Sequence, residues 1–301
     1  MTTTARLRAF VAVADTGSVR AAAARLVLTE SAVSAAIGAL GDEVGVPLLE
    51  RNGRGLRLTP PGETFAEYAR AMLGLHDEAL SAARGDLDPA HGRIRLAAVT
   101  TAADHLLPAV LAGFRADYPD VQLRLDVGTS EHVWALLDRH ETDLVIAGRP
   151  PRDTADLVIR AERGNDLVPV AAPPVTATFD AGTATWLMRE AGSGTRSTCE
   201  ALLDQLELDP PRLTLGSNGA VVAGAVAGLG ITLVSRDAVA RQLAAGELAT
   251  VPLPGTPLRR PWRAVTHRRV PASVDLLVAH LLAGEAWWPS DYPARSTRGG
   301  S

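Results

Sequence analysis

The segment from Ser18 to Leu40, SVRAAAARLVLTESAVSAAIGAL, decides how the beginning of the chain folds. Ser18 and Thr29 are favourable N-caps, so the segment predicts one helix after each of them, joined by a turn of three residues. Val33, Ile37 and Leu40 repeat at helical spacing and predict the buried face of the second helix. The pattern is typical of a helix-turn-helix, although small helical bundles in enzymes share it.

The exposed face of the second helix indicates where DNA would be read. In a helix-turn-helix the second helix enters the major groove, and its first residues reach the base edges. The candidate DNA contacts of this segment are the two caps and the exposed leading residues, Ser18, Thr29, Glu30, Ser31 and Ser34.

A hairpin is predicted directly after the helix pair. Asn52 and Gly53 form a strong turn signal between two short apolar stretches of VPLLERNGRGLRL. The hairpin carries Arg51, Arg54 and Arg57, and guanidinium groups suit backbone phosphates or a minor groove. We therefore predict a wing with three DNA-contacting arginines rather than three solvated surface residues.

The wing is followed by a long helix, which Thr59 caps and in whose first turn two prolines are tolerated. Its apolar residues alternate spacings of three and four, which is the repeat of a two-stranded coiled coil. The alternative is a helix that packs on its own domain, but the linker-like stretch GDLDPAHG leaves little nearby to pack against. We predict a dimer with a seam formed by Phe65, Tyr68, Met72, Leu75 and Ala79.

Length and composition describe a globular protein of two or three domains. The chain has 301 residues, of which 47% are hydrophobic and 21% charged, so it is too long for one core and too apolar for bulk disorder. The net charge of -4 excludes a protein covered in basic residues, and every basic side chain apart from histidine is arginine. A single cysteine, Cys199, and the lack of a signal-peptide or membrane-span pattern lead us to expect a cytoplasmic protein.

Short apolar runs separated by helical segments begin at Arg93. They are IRLAAV, VQLRLDV, DLVIAG, LVPVAA, ITLV and WRAV, and they predict parallel α/β architecture. Ligands of such sheets bind at the carboxyl ends of the strands, against helix N-termini. The junctions between strands and helices are therefore the places where a binding site is expected.

Serine, threonine and glycine recur at these junctions, most densely in REAGSGTR, residues 189–196. Each junction alone fits an ordinary helix cap, but several together favour an anion site, because helix amides and the helix dipole attract negative charge. The spacing and the missing lysine exclude a nucleoside triphosphate loop. The candidate anion ligands are Thr100, Thr101, Thr129, Arg149, Ser193, Gly194, Thr195, Arg196 and Asn218.

The motifs in combination resemble the LysR family of transcriptional regulators, over almost the whole chain. The resemblance lies in LRAFVAVADTGSVRAAAARL, TESAVSAAIGAL and GVPLLERNGRGLRLTPPGE, and REAGSGTR with LGSNGAV is similar to the branch of Calvin-cycle and sulfur-assimilation regulators. It implies promoter DNA as partner, a small anionic effector such as a phosphorylated metabolite or a sulfur oxyanion, a tetramer built as a dimer of dimers, and contact with RNA polymerase. One departure is that Ala35 and Ala36 stand where family members often have arginine or glutamine, so direct base readout should be thin.

The predicted fold class is α+β and α/β, with a winged helix-turn-helix, a linker helix and a two-lobed effector domain like that of periplasmic binding proteins. The expected boundaries are 1–59 for the DNA-binding domain, 60–91 for the linker helix and hinge, 92–284 for the effector domain and 285–301 for a flexible tail. Lobe one is expected at 92–162 plus 267–284 and lobe two at 164–265, with crossings near Glu162–Gly164 and Thr266–Arg268.

Two other classes of protein fit the sequence less well than a regulator does. A hydrolase is disfavoured because no G-x-S-x-G occurs and the histidines lack metal spacing, so no catalytic residue, metal or cofactor is expected. A solute-binding receptor for a small oxyanion could use the effector domain, but the added winged helix argues against it. Cys199 near a helix start could sense oxidants, but without a second cysteine a structural role is favoured.

Overall fold

The helix-turn-helix forms as its caps predict in the computed structural model, which describes residues 2–53, 55–85, 88–151, 156–173, 180–284 and 286–290. Helix α1 (Thr4–Thr16) ends at Gly17 in the left-handed conformation, α2 spans Val19–Leu26 and α3 spans Glu30–Val44. The Ser18 and Thr29 hydroxyl oxygens accept hydrogen bonds from the first turns of α2 and α3, at 3.4 and 3.2 Å. The turn between α2 and α3 bends the chain by 109°.

The wing and the helix-turn-helix share one apolar core. Strands β1 (Leu49–Asn52) and β2 (Gly55–Leu58) pair as an antiparallel hairpin. Fully buried Phe10 and Leu40 pack with Leu48 and with the small residues Ala66 and Ala69 of the following helix. These elements belong to the first of two units, which comprises Met1–Ala83 and Leu136–Thr142, while the second comprises Arg84–Ala135 and Asp143–Ser301.

Helix α4 (Pro60–Gly85) begins after Thr59, whose hydroxyl oxygen accepts from the Gly62 N–H at 3.1 Å. Tyr68, Met72 and Leu75 are exposed on it, as is Ala79, which leaves them available for a seam.

Phe65 packs within its own unit, unlike the other residues of the predicted seam. Its ring packs edge-on against Phe10, with ring centroids 5.4 Å apart and an interplanar angle of 74°. It belongs to the core of its own unit because the first turns of α4 lie against α1, where the same apolar repeat serves local packing.

The rest of the first unit holds a buried polar pair. Glu78 of α4 is 9% exposed, and its carboxylate lies 2.7 Å from Nδ1 of His140. The close approach leaves Gly74 no space for a side chain, since the carbonyls of Arg139 and His140 occupy it.

A six-stranded mixed sheet forms one lobe of the second unit, with strand order β14-β6-β13-β5-β3-β4. Strand β3 runs parallel to β4 and β5, but β13 runs antiparallel to β5 and β6, so the prediction of a parallel sheet was only partly right. The strands are β3 (Arg93–Val99), β4 (Gln122–Gly128), β5 (Leu144–Ala147), β6 (Leu157–Arg163), β13 (Trp262–His267) and β14 (Trp287–Trp288). The helices beside them are α5 (Thr100–His105), α6 (Leu107–Asp117), α7 (Ser130–Asp138) and α11 (Ala272–Ala283).

The other lobe is built around β7 (Asp166–Ala171). Antiparallel to it lie β10 (Thr232–Ser235), β11 (Ala249–Thr250) and β12 (Leu258–Arg259), and β8 (Trp186–Met188) pairs in parallel with β9 (Arg212–Thr214). Helices α8 (Gly194–Gln205), α9 (Asn218–Val226) and α10 (Ala240–Ala244) complete it. Trp186 is fully buried in its core with Met188, Leu202 and Leu233.

The chain crosses between the lobes at residues 164–165 and 260–261. The first crossing lies next to the predicted position, but the second lies before Trp262, because residues 262–267 pair with β5 and β6 of lobe one. The predicted lobe-two boundary at 265 was therefore wrong. The predicted flexible tail was also wrong at its start, because Trp287 is buried and pairs with Arg163, whereas residues 291–301 lie outside the described part of the chain.

Among the described residues, no single helix combines the length and the apolarity that crossing a membrane requires, and only the bent pair α2 and α3 passes that test jointly.

We expect Phe65→Ala to affect stability and Tyr68→Ala to affect self-association. Loss of the packed Phe65 ring should lower the free energy of unfolding by about 3 kcal/mol, as is usual for a phenylalanine removed from a core. Tyr68 is 66% exposed, so its replacement should leave unfolding nearly unchanged and weaken self-association. Urea unfolding and sedimentation velocity measure the two effects. A Tyr68 variant with unchanged self-association would contradict the seam.

Candidate functional site

A cavity of about 300 Å³, including its open mouth, lies where three strands end and α8 begins. Strands β3, β4 and β5 contribute the residues at or after their carboxyl ends, because parallel strands end at the same edge of the sheet. The lining residues are Val99, Thr100, Thr101, Gly128, Thr129, Ser130, Gly148, Arg189, Ser193, Gly194, Thr195, Arg260 and Trp262.

Six of the nine predicted anion ligands line this cavity: Thr100, Thr101, Thr129, Ser193, Gly194 and Thr195. Two of them cap the start of a helix. Ser193 caps α8 by accepting from the Arg196 N–H at 3.4 Å, and Thr129 accepts from the His132 N–H at 3.3 Å. Hydroxyls that cap helices therefore also face the space between the lobes.

Three predicted ligands do not line the cavity. The guanidinium of Arg196 points along α8 to Glu200, one turn later at 2.8 Å, and donates to the Arg189 carbonyl at 3.1 Å. Arg149 is exposed outside the cavity wall. Asn218 is buried at the start of α9, where its side-chain oxygen accepts from Arg189 at 3.3 Å.

Arg189 lines the cavity but is already neutralised. Its Nε and Nη2 donate to the two carboxylate oxygens of Glu190 at 2.7 and 2.6 Å. Burial raises the pKa of the Glu190 carboxyl, but hydrogen bonds from Arg189 and the backbone outweigh it and lower the pKa overall. The pair is therefore ionised and carries no net charge.

Arg260 is a cation of the cavity lining that the sequence pattern does not indicate. This partly buried residue lies between two glycines: a Cβ added at Gly148 would be 2.8 Å from its Cζ, and one added at Gly194 would overlap its Nη2. Arg260 precedes β13, which runs antiparallel to β5, so the start of β13 meets the edge where parallel strands end. Only an antiparallel assignment of WRAV would have placed Arg260 at the site.

The backbone of Arg260 is fixed at the crossing between lobes. Its N–H donates to the Asn165 carbonyl at 2.9 Å, and the Asn165 side-chain amide donates to the Arg260 carbonyl at 3.0 Å. The Asn165 side-chain oxygen accepts from the Ser235 hydroxyl at 2.6 Å. Buried Asn165 thus joins the two crossings and positions the cation.

Direct bonds connect the lobes beside the cavity. The Glu131 N–H of lobe one donates to the Gly192 carbonyl of lobe two at 3.3 Å, and the Gly194 N–H donates to the Ser130 hydroxyl at 3.2 Å. Arg163 of β6 pairs with Asp237 of lobe two at 2.6 Å. The cleft is closed in this structure.

Most of the predicted DNA-facing residues are exposed. Thr29, Glu30, Ser31 and Ser34 are exposed around the start of α3, whereas the Ser18 hydroxyl is engaged in capping α2. On the wing, exposed Arg51 lies opposite Leu56, and Arg57 pairs with Glu50 at 2.7 Å. Arg54 lies outside the described residues.

Cys199 lies in the core of lobe two. It is 3% exposed, its Sγ is 3.8 Å from the Met188 sulfur, and burial raises its thiol pKa to about 12. A thiol with such a pKa is protonated and inert near neutral pH, which supports the structural role. Within the described residues, histidine, cysteine and carboxylates form no cluster that could hold a metal ion.

Comparison with known proteins identifies two family models that together span most of the chain. Residues 4–63 match the bacterial regulatory helix-turn-helix protein, lysR family, and residues 88–285 match the LysR substrate binding domain.

Curated relatives agree with both models. The HTH-type transcriptional regulator CfxR of Cupriavidus necator is 34% identical, over 92% of this chain and 90% of its own. A RuBisCO operon transcriptional regulator of Acidithiobacillus ferrooxidans is 32% identical, over 93% and 94%. Among solved structures, the Synechocystis PCC6803 CcmR regulatory domain in complex with 2-PG is 28% identical, with a TM-score of 0.56, over 62% of this chain and 96% of that one.

Gly148→Ala should destabilise the protein only while Arg260 is present. The new methyl group would overlap the guanidinium, which is the end of a flexible side chain and can shift, so the free energy of unfolding should fall by at most about 1 kcal/mol. In an Arg260→Ala background the same change should have little effect. Urea unfolding of the four proteins gives the coupling, and Gly216→Ala is the control because a Cβ there meets nothing within 4 Å. Equal effects of Gly148→Ala in both backgrounds would disprove the contact.

Proposed function

The chain belongs to the LysR family of DNA-binding transcriptional regulators, and we propose that a small anion bound in the cavity controls its hold on promoter DNA. Within the family it groups with the regulators of RuBisCO operons. It is a regulator with an effector-binding domain, not an enzyme. The solute-binding alternative has no support, because residues 4–63 match the family's DNA-binding model.

The convergence of hydroxyls and helix N-termini on one cavity carries the proposal of an anionic effector. Thr100, Thr129 and Ser193 come from three different helix starts, and the start of α8 lies in the cavity wall, where its Gly194 N–H is bonded to Ser130 and its Arg196 N–H to Ser193. Helix N-termini attract anions through their free N–H groups and their dipole. Hydroxyls donate hydrogen bonds to oxyanions without adding charge, so the site can hold a sulfate, phosphate or carboxylate group.

The effector acts on the arrangement of the lobes in this proposal. The bonds from Glu131 to Gly192 and from Gly194 to Ser130 join the lobes at the cavity wall. An anion that touches both lobes binds the closed arrangement more tightly than an open one, and such a difference in affinity is what shifts an equilibrium. The shift changes the spacing of paired DNA-binding units and so bends or releases the promoter.

DNA is held by phosphate contacts more than by base contacts. The exposed face of α3 offers Thr29, Glu30, Ser31 and Ser34 to the major groove, but Ala35 is too short to reach base edges. Arg51 and Arg57 of the wing contact the phosphates, and Arg54 is proposed with them from the sequence pattern alone. Because its target is chromosomal DNA, the protein acts in the cytoplasm.

Self-association brings the DNA-binding units of two chains together. The exposed residues Tyr68, Met72, Leu75 and Ala79 form the dimer seam on α4, which Phe65 does not join. We further propose a tetramer, formed as a dimer of dimers, and contact with RNA polymerase at the promoter.

The direct experiment combines a thermal-shift screen with footprinting. Sulfate, inorganic phosphate and a panel of sugar phosphates are screened for a rise in Tm. DNA upstream of the chain's own gene is then footprinted with and without the best anion. A changed footprint or DNA bend supports the mechanism, and an unchanged footprint at saturating anion overturns it.

We expect Ser193→Ala and Ser217→Ala to separate anion binding from helix capping. Both serines are N-caps, of α8 and α9, and each replacement should lower the free energy of unfolding by about 1 kcal/mol. Only Ser193 lines the cavity, so only its replacement should reduce the Tm rise produced by sulfate or phosphate. An equal loss in both variants would remove Ser193 from the site.

Arg51→Ala should weaken binding to matched and scrambled DNA alike. A lost phosphate contact lowers affinity without changing specificity and reduces the slope of log affinity against log salt by about one. Arg241→Ala is the control, because Arg241 is an exposed arginine of lobe two, outside the residues that match the DNA-binding model. Fluorescence anisotropy at several salt concentrations measures both quantities. Loss confined to the matched site would instead make Arg51 a base contact.

A further inference from the structure

Arg260 is a cation for which the described residues provide no neutralising partner. Its guanidinium forms no hydrogen bond and no ion pair in the described part of the chain. Three neighbouring arginines are neutralised: Arg189 pairs with Glu190 at 2.6 Å, Arg196 with Glu200 at 2.8 Å and Arg263 with Glu162 at 2.6 Å.

The surroundings of Arg260 are positive rather than negative. Burial and the positive charges of Arg149 and Arg263 together lower the pKa of its guanidinium to about 10. The N-terminus of α8 lies beside it at Gly194, and a helix N-terminus carries roughly half a positive charge. The folded protein therefore disfavours this charge at neutral pH, and the penalty fades only as the pH rises through about 10.

We propose that Arg260 is the counter-charge for a doubly negative oxyanion, so that the effector-free protein is destabilised by this cation and the effector relieves it. The inference rests on the proposed function, because it assigns the charge of the effector bound in that same cavity.

The sum of the local charges favours a divalent group. Arg260 contributes one full charge and the start of α8 about half a charge. The charges of exposed Arg149 and of exposed Glu131, whose carboxylate lies beside Gly192, have opposite signs and are screened by solvent. A single carboxylate leaves part of this charge uncompensated, whereas a sulfate or a phosphate dianion matches it. The guanidinium fork binds two oxygens of such a group, and the hydroxyls of Thr101 and Ser193 bind the others.

Arg260→Met should therefore stabilise the anion-free protein and abolish its binding of sulfate. Arg260→Met keeps the apolar stem and removes the charge, while the backbone bonds to Asn165 remain. Without any anion, the variant should melt roughly 2–4 °C above the wild-type protein. The Tm rise that sulfate produces in the wild-type chain should be lost.

Arg263→Met is the matched control. Arg263 lies three residues away and is paired with Glu162, so removing it leaves a carboxylate without its partner and should lower Tm. Scanning calorimetry of the full-length protein in a sulfate-free buffer, with sulfate then titrated in, compares all three proteins. If Arg260→Met melts below the wild-type protein, as the control does, Arg260 is a structural cation and the inference fails.

The response to sulfate separates failure of this inference from failure of the proposed function. If the wild-type protein and Arg260→Met respond equally to sulfate, the cavity binds anions without Arg260, and only the inference is overturned. If sulfate and inorganic phosphate leave the wild-type Tm unchanged at every concentration, both the inference and an oxyanion site in the cavity are overturned.

A pH series tests the charge of the ligand. Inorganic phosphate gains its second negative charge near neutral pH, whereas sulfate is divalent throughout. Between pH 6 and pH 8 the phosphate-induced Tm rise should grow several-fold while the sulfate-induced rise stays constant, and acetate should produce almost none. A phosphate response independent of pH, or an acetate response as large as that of sulfate, would show that one negative charge is enough and overturn the divalent assignment.

Discussion

The position of the Arg260 guanidinium constrains everything around the cavity. It occupies the edge where β3, β4 and β5 end, so Gly148 and Gly194 have no room for side chains. Buried Asn165 bonds to both the N–H and the carbonyl of Arg260. The position of the guanidinium therefore depends on the Asn165 amide. The described lining of the cavity contains hydroxyls and no carboxylate, which is the basis for proposing that a ligand neutralises this charge.

Much of the fold could be predicted because local signals and tertiary structure agree. Ser18, Thr29 and Ser193 cap helices where the sequence indicates, and the hairpin turns at Gly53. Phe65 could not be assigned, because a seam and a helix packed on its own core both place apolar residues at spacings of three and four.

The site was predictable where strand ends meet helix starts and not elsewhere. Thr100, Thr129 and Ser193 follow that pattern, and all three line one cavity of the structure. Arg260 was not predicted because it lies just before an antiparallel strand, and the direction of a strand cannot be recognised from a short apolar run. Arg196 was expected to face the anion, but a carboxylate one helical turn away, on Glu200, holds it.

The two segments that join the lobes, 164–165 and 260–261, are hydrogen-bonded to each other, and Arg260 lies on the second of them. If the lobes rotate about these two crossing segments, each atom moves in proportion to its distance from them. A sub-ångström shift at Arg260 then corresponds to a much larger displacement at the outer edges of the sheets. In the proposed mechanism the effector therefore binds next to the axis of rotation, and the resulting displacement is largest at the outer edges of the lobes.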